Sequence, residues 1–564
     1  MAYIIADNVI SPLGDTSWKN YQAVKEGLTS LVLYTAESKG VGEDYTASVI
    51  EPRVLEGLET EESGLPWFEK KILASVRKTV SAVKVDFRAD RTIFILSSTK
   101  GEVNSSCETG GLSLADCAYR LSSSLGISSK PITVSNACIS GLTAVILANR
   151  LLEQGAYETA IVCGTDNISK FVISGFQSLK AMSSDVCRPF DADRTGLNLG
   201  EAVATIVMSR KPISEYDWYV RDGYMSNDAY NLTSPSKTAE GLFRILSKLL
   251  YCGQPDFINL HGTATFFNDQ MESVAIRRAG LSNVPANALK GYFGHTLGAA
   301  GLLETIISMK AADDETILAT KGFNEPGVSG RMNLSTFNRK VHSQSFVKML
   351  SGFGGCNAAA LFQKGGCCHC AESVNLHLIH RVRIQNGEVT ANGKHLSYEG
   401  DVKQMLTWLY KTYVKDYPRY YKMDMLCRLG FIASEILIKE EDCERFVERD
   451  DRAIVLFNKT SSIDSDLKYM ESIRDINNYY PSPSLFIYTL PNIVTGEIAI
   501  RNKWHGETSL YILSERNESL QLEILKSTCR DHSIKSILTG WLDYANCDCY
   551  EADMVIYEVK REKP

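Results

Sequence analysis

Pro131-Ile-Thr-Val-Ser-Asn-Ala-Cys-Ile-Ser-Gly141 joins a short β-branched run to a corner of small residues that carries one cysteine. Leu142-Thr-Ala-Val-Ile-Leu-Ala-Asn-Arg-Leu-Leu152 follows at once as an amphipathic helix. A corner of this kind sets Cys138 at a helix N-terminus, where unpaired N–H groups and the helix dipole favour the thiolate. That is the layout of a covalent nucleophile on a strand-to-helix elbow. A buried structural cysteine is the alternative the corner alone leaves open.

On either side of it the same alternation continues. Apolar runs at 91–97, 159–164, 202–208, 257–260, 346–350 and 358–362 read as buried strands, with helical stretches at 112–125, 240–250, 270–279 and 302–311 between them. Strands and helices alternating at this length predict a layered α/β fold. The chain has 564 residues, too many for one ordinary core, and a composition break at Lys364-Gly-Gly-Cys-Cys-His-Cys-Ala-Glu372 marks a domain boundary. We divide the chain into domains at 1–364 and 374–564, with 365–373 as linker.

The formal charge of −7 and the absence of a long basic block argue against a nucleic-acid surface. The 15 cysteines are scattered, which fits reduced thiols better than a disulfide framework. Cys367, Cys368, His369 and Cys370 are adjacent, so they cannot close a tetrahedral site, and no metal is expected. No basic n-region precedes the short apolar start and no window reaches bilayer-spanning length, so a soluble, cytoplasmic protein is expected.

His261 and His295 each end a strand-like run among glycines and small residues, where α/β folds place their chemistry. Asn136-Ala-Cys138-Ile-Ser-Gly141, Arg188-Pro-Phe-Asp191, His261-Gly-Thr-Ala-Thr265, Asn268-Asp269, Lys290 five residues before His295, Gly298-Ala-Ala-Gly301 and Gly352-Phe-Gly-Gly355 occur in one order across 1–364. In these motifs the chain resembles the type II β-ketoacyl-acyl-carrier-protein synthases of the thiolase superfamily. The resemblance implies a thiolase-like α-β-α-β-α fold and a decarboxylative Claisen condensation that elongates a fatty-acid, polyketide or aryl-polyene chain.

The resemblance also assigns roles. Cys138 would carry the acyl chain as a thioester. His261 and His295 would bind the malonyl thioester and promote loss of CO₂, with Lys290 and Glu304 orienting the second histidine and supporting the charge network. Thr263 and Thr265 would grip the pantetheine arm, Phe353 would gate the acyl pocket, and Asp269 would support the site. Backbone N–H groups of Cys138 and Phe353 would form the oxyanion hole. The implied partners are acyl carrier protein and its acyl and malonyl thioesters, with no cofactor beyond the carrier's phosphopantetheine. A same-fold acyltransferase or malonyl decarboxylase that does not elongate chains is the alternative, and a non-catalytic scaffold a further one.

The last 190 or so residues echo the first domain. Runs at 452–462, 485–496, 536–543 and 552–558 parallel 91–101, 132–141, 160–166 and 202–208, and 374–384 could open the set. Aligning Gly496 with Gly141 puts Ile493 where Cys138 stands, and no second histidine motif follows. This part resembles a truncated, inactive ketosynthase of the chain-length-factor kind, built as an α/β half-thiolase. The expectation is a pseudo-heterodimer within one chain, in which 485–490 pairs with 132–135. A homodimer through the first domain stays open.

Overall fold

The computed structural model describes residues 2–55, 64–88, 91–103, 113–365, 374–398, 400–441 and 444–561. The Cys367–Cys370 cluster and most of the expected linker lie outside them.

Buried apolar runs form the expected strands. In the first half Ala2–Ile10 pairs antiparallel with Val203–Ser209, which pairs antiparallel with Thr159–Thr165. Thr92–Ser97 lies parallel to Thr159–Thr165 and to Ile132–Val134. A second layer runs from Trp218–Asn227 through Cys356–Lys364 and Ser345–Gly352 to Phe257–Asn259. Between the layers lie Ser140–Glu153, buried at every residue but Glu153, and Ala300–Asp313, buried at all but Lys310 and Asp313. A helix enclosed on every side needs apolar residues all round, and both sequences supply them.

The second half repeats the first sheet strand for strand. Val374–Gln385 pairs antiparallel with Cys549–Arg561, which pairs antiparallel with Ser536–Asn546. Arg452–Asn458 lies parallel to Ser536–Asn546 and to Thr508–Ile512. The two sheets join edge to edge, with Tyr511 opposite Val134 and Ile512 opposite Thr133 in an antiparallel ladder. Each half thereby covers the other's exposed edge.

This ladder corrects the expected mate of 132–135. Residues Pro483–Tyr488 form a helix, because Pro483 sits at its first turn and Ser482 accepts from Leu485 N at 3.3 Å. The joining strand is Thr508–Ile512. The register also moves the expected counterpart of Cys138. Val134 lies beside Ser97 as Ile512 lies beside Asn458. Four residues past each strand end come Cys138 and Arg516, so Arg516, not Ile493, stands in the nucleophile's place.

Candidate functional site

Cys138 sits in the 3-10 turn Ala137–Ile139 directly before Ser140–Glu153. Ala137 has φ +47°, a left-handed conformation that costs a residue with a Cβ about 1–3 kcal/mol and persists only where packing enforces it. Gly141 explains part of that packing, since a Cβ there would lie 2.8 Å from Gly298 O. Leu297, at φ +49°, opens a matching turn before Ala300–Asp313, two residues after His295. The two elbows thus face each other across closely packed glycines.

Cys138, His261 and His295 line one cavity of about 440 Å³, with Thr263, Thr265 and Phe353 also in its wall. The imidazole rings stand edge to face with centroids 5.2 Å apart. Leu297 N donates to His295 Nδ1 at 3.3 Å, which leaves the proton on Nε2, and Nε2 has no partner among the described residues. Burial, reinforced by the Lys290 charge, holds both histidines well below the usual imidazole pKa, so both rings are neutral donors at neutral pH.

The thiol departs from expectation. Burial pushes Cys138 up to about 12, while the Lys290 charge pulls the other way. Desolvation outweighs the favourable helix end, so the resting group is the thiol.

Lys290 joins the expected charge network with Glu304, but its ammonium reaches the first histidine. Its Nζ donates to His261 O and to Glu304 Oε1, each at 2.7 Å. Lys348 Nζ donates to the other oxygen of Glu304 and to Leu260 O at 3.1 Å. The Lys290–Glu304–Lys348 group therefore fixes the backbone of the first histidine, not the ring of the second. Burial lowers Lys348 to about 8. Lys348 and Glu272 are the residues the sequence reading missed. Glu272 accepts from His261 N and from Gly262 N at 2.9 Å, and Asp269 accepts from Phe190 N at 2.7 Å and Thr263 N at 3.0 Å. These carboxyls tie down the loop beneath His261 from outside the cavity wall. Burial raises Asp269 to about 6 and Glu272 to about 7.

Thr263 and Thr265 hydroxyls meet at 2.8 Å on the wall. Phe353 stacks on Phe176 at 6.1 Å. A Cβ on Gly352 would lie 3.3 Å from Cys138 N and 3.1 Å from Cys356 Sγ, so the missing side chain keeps open the space beside the nucleophile's N–H. Cys138, Phe176 and Phe353 also border a smaller inner space of about 20 Å³, closed from the second half by Phe486 and Leu490. That space has room for about one water.

The two halves meet through charges as well as strands. Arg150 pairs with Glu507 at 2.8 Å, Lys100 with Asp466 at 2.6 Å and Lys248 with Asp531 at 2.7 Å. Among the described residues no group of three or more His, Cys, Asp or Glu side chains is arranged to hold a metal ion, and no helix is long and apolar enough to cross a membrane.

Residues 82–212 match the "Beta-ketoacyl synthase, N-terminal domain" family and residues 220–324 the "Beta-ketoacyl synthase, C-terminal domain" family. The chain is 30% identical to "3-oxoacyl-[acyl-carrier-protein] synthase 2" of Rhizobium meliloti over 41% of its length and 60% of the relative's. It is also 30% identical to the protein of that name from Vibrio cholerae, over 44% and 65%. It thus spans less than two thirds of the length of these relatives. Among solved structures, a "PfaC Keto synthase-Chain length factor" superposes with TM-score 0.76 over 99% of this chain and 78% of its own, at 14% identity. A ketosynthase in complex with its chain length factor from Xenorhabdus doucetiae superposes with TM-score 0.55 over 64% and 98%, at 24% identity. Residues 82–212 and 220–324 are thus similar to the two domains of β-ketoacyl synthases.

Proposed function

We propose that the chain condenses an acyl thioester with malonyl-acyl-carrier protein, releasing CO₂ and lengthening the acyl chain. The carrying observation is the convergence of Cys138 with two neutral, buried histidines on one cavity. In the first step Cys138 sulfur attacks the carrier-bound thioester carbonyl, and the pantetheine sulfur leaves with the thiol's proton. Malonyl thioester then enters, its carboxylate departs as CO₂, and His261 and His295 donate hydrogen bonds to the developing enolate oxygen. The enolate carbon bonds to the Cys138 thioester carbonyl. The tetrahedral oxyanion is held by the N–H groups of Cys138 and Phe353, and collapse expels the sulfur, which takes up one proton.

Thr263 and Thr265 fit a hydrogen-bonding role toward a pantetheine arm, and the phosphopantetheine belongs to the carrier, with no cofactor assigned to the chain itself. We place the protein in the cytoplasm and take 1–364 as the synthase and 374–564 as an inert chain-length-factor-like half. A one-chain pseudo-heterodimer is supported by the occupied Ile132–Val134 edge and by the Arg150–Glu507 pair. Counting back from Val134 and Ile512, Glu507 corresponds to Ser129. A homodimer of first halves would leave Arg150 buried against a serine, a costly arrangement.

Intact-mass measurement of the protein after incubation with an acyl thioester and malonyl-carrier protein tests the reading. Acylation of Cys138 followed by release of a chain two carbons longer is expected. Acyl transfer without consumption of malonyl-carrier protein rejects condensation.

A further inference from the structure

The second half lacks a nucleophile, yet one of its side chains reaches the gate of the first. Asn492 is 1% exposed and occupies the N-cap position of Ile493–Asn502. An asparagine there ordinarily accepts a hydrogen bond from the first turn of its own helix. Asn492 makes no such bond. Its Nδ2 crosses the junction, donating to Phe353 O at 2.9 Å and lying 3.8 Å from Cys356 Sγ, itself 3.3 Å from the same carbonyl. Its Oδ1 has no partner among the described residues. The side chain has given up its local cap to hold the gate.

The backbone around it is shaped for that contact. Gly496 lies one turn into the helix, and a Cβ there would stand 2.5 Å from Gly354 O. A glycine inside a helix is destabilising, so its presence at the point of closest approach fits a demand for contact. Gly354 and Gly355 have φ of +91° and +74°, the left-handed region that glycine enters without a Cβ penalty. Gly354 O accepts from Asn227 Nδ2 at 2.9 Å, and Gly354 N donates to Leu232 O at 2.7 Å. The segment after Phe353 is therefore a tightly tied loop with two conformationally free residues.

We infer that Asn492 is a positioning residue through which the inert half holds the Phe353 gate closed and so sets which acyl chains load onto Cys138. Phe353 borders both the large cavity and the inner space of about 20 Å³. A chain of several carbons cannot enter that space as it stands, so Phe353 has to move, and in our inference its backbone moves with it and its carbonyl leaves Asn492. A short chain stays on the near side and leaves the bond intact. This rests on the condensing reading above.

The test compares acetyl- and decanoyl-pantetheine as acyl donors, with Cys138 acylation read by intact mass in the full chain. In Asn492→Leu and Asn492→Asp the ratio of decanoyl to acetyl loading rates is expected to rise about 3- to 10-fold, the range that loss of one hydrogen bond allows. Asn492→Asp keeps the side chain's shape and carries the test if Asn492→Leu fails to fold. A ratio within twofold of the unsubstituted protein, or an equal fall in both rates, overturns the inference. Absence of Cys138 acylation in the unsubstituted protein rejects the condensing reading instead.

Discussion

Four residues past Val134 stands Cys138, and four residues past Ile512, its neighbour across the sheet, stands Arg516. The first corner carries a left-handed Ala137, and its helix, Ser140–Glu153, has Ile139 at the N-cap with no side-chain cap. The second helix, Glu518–Thr528, is capped by Asn517, which accepts from Leu520 N at 3.0 Å. Arg516 turns away to Asp553 at 2.7 Å and Glu551 at 3.3 Å. The first helix is enclosed on all sides, whereas only five of eleven residues in the second are buried. The comparison separates what the fold needs from what a reaction needs. The second corner is capped and half open to solvent, whereas the Cys138 corner is strained, uncapped and buried. Glu518–Thr528 meets solvent through Glu518, Ser519, Leu522 and Lys526.

The sharpest way to break the comparison is to exchange its chemistry. Cys138→Ala is expected to lower chain elongation by about 10⁴-fold or more, since removing a nucleophile that acts with its partners forfeits most of their joint effect. Arg516→Cys is expected to gain no acylation, because that corner faces no histidine pair. Mass spectrometry of both variants after acyl-thioester treatment checks the contrast. Next in size is the bond between halves. Glu507→Gln leaves Arg150 buried without its counter-charge and is expected to cost about 3–5 kcal/mol of stability in denaturant unfolding. The double change Arg150→Met with Glu507→Leu is expected to recover most of that loss, because an apolar pair leaves no charge unpaired.

Much of this was legible in the residues. The strands at 91–97, 159–164, 452–458 and 536–543 announce themselves as buried β-branched runs, and Cys138, His261 and His295 by their glycine-rich settings. The mate of Ile132–Val134 was not, because 485–490 is an apolar run too short for periodicity to separate strand from buried helix. The Ser482-Pro483 start signal was the discriminating feature. The Lys290–Glu304 charge pair follows the resemblance, but the reach of Lys290 to the His261 carbonyl does not show in spacing along the chain. Lys348 carried a readable signal, a lysine inside a strand with no solvent face, which demands a buried counter-charge such as Glu304. Asn492 had none, as its partner lies 139 residues away in another half.

The two half-reactions we propose differ in their use of protons, and pH separates them. His261 and His295 are held neutral well below the usual imidazole range, so raising the pH removes no proton from an imidazolium. Malonyl decarboxylation by Cys138→Ala is therefore expected to stay flat from about pH 6.5 to 8.5, where ordinary histidines would titrate. Loading needs the Cys138 thiolate, whose pKa lies at about 12, so the thiolate fraction climbs toward tenfold per pH unit across that range. Alkylation of Cys138 followed by mass against pH reads the slope directly, and a plateau near pH 7 would contradict the raised pKa.

The smallest effect probes the inert corner itself. Asn517→Ala removes the cap of Glu518–Thr528 and is expected to cost about 1 kcal/mol of unfolding free energy. Turnover should stay within about twofold, because a helix end that holds no reacting atom contributes stability alone. No capping side chain could be added at Ile139 on those terms. Ile139 is fully buried among apolar side chains, so an Asp there puts an unpaired carboxyl beside the Cys138 corner. Ile139→Asp is thus expected to slow Cys138 loading while Asn517→Ala does not. Acylation rates measured beside unfolding free energies for the two variants distinguish a corner kept open for chemistry from one merely left uncapped.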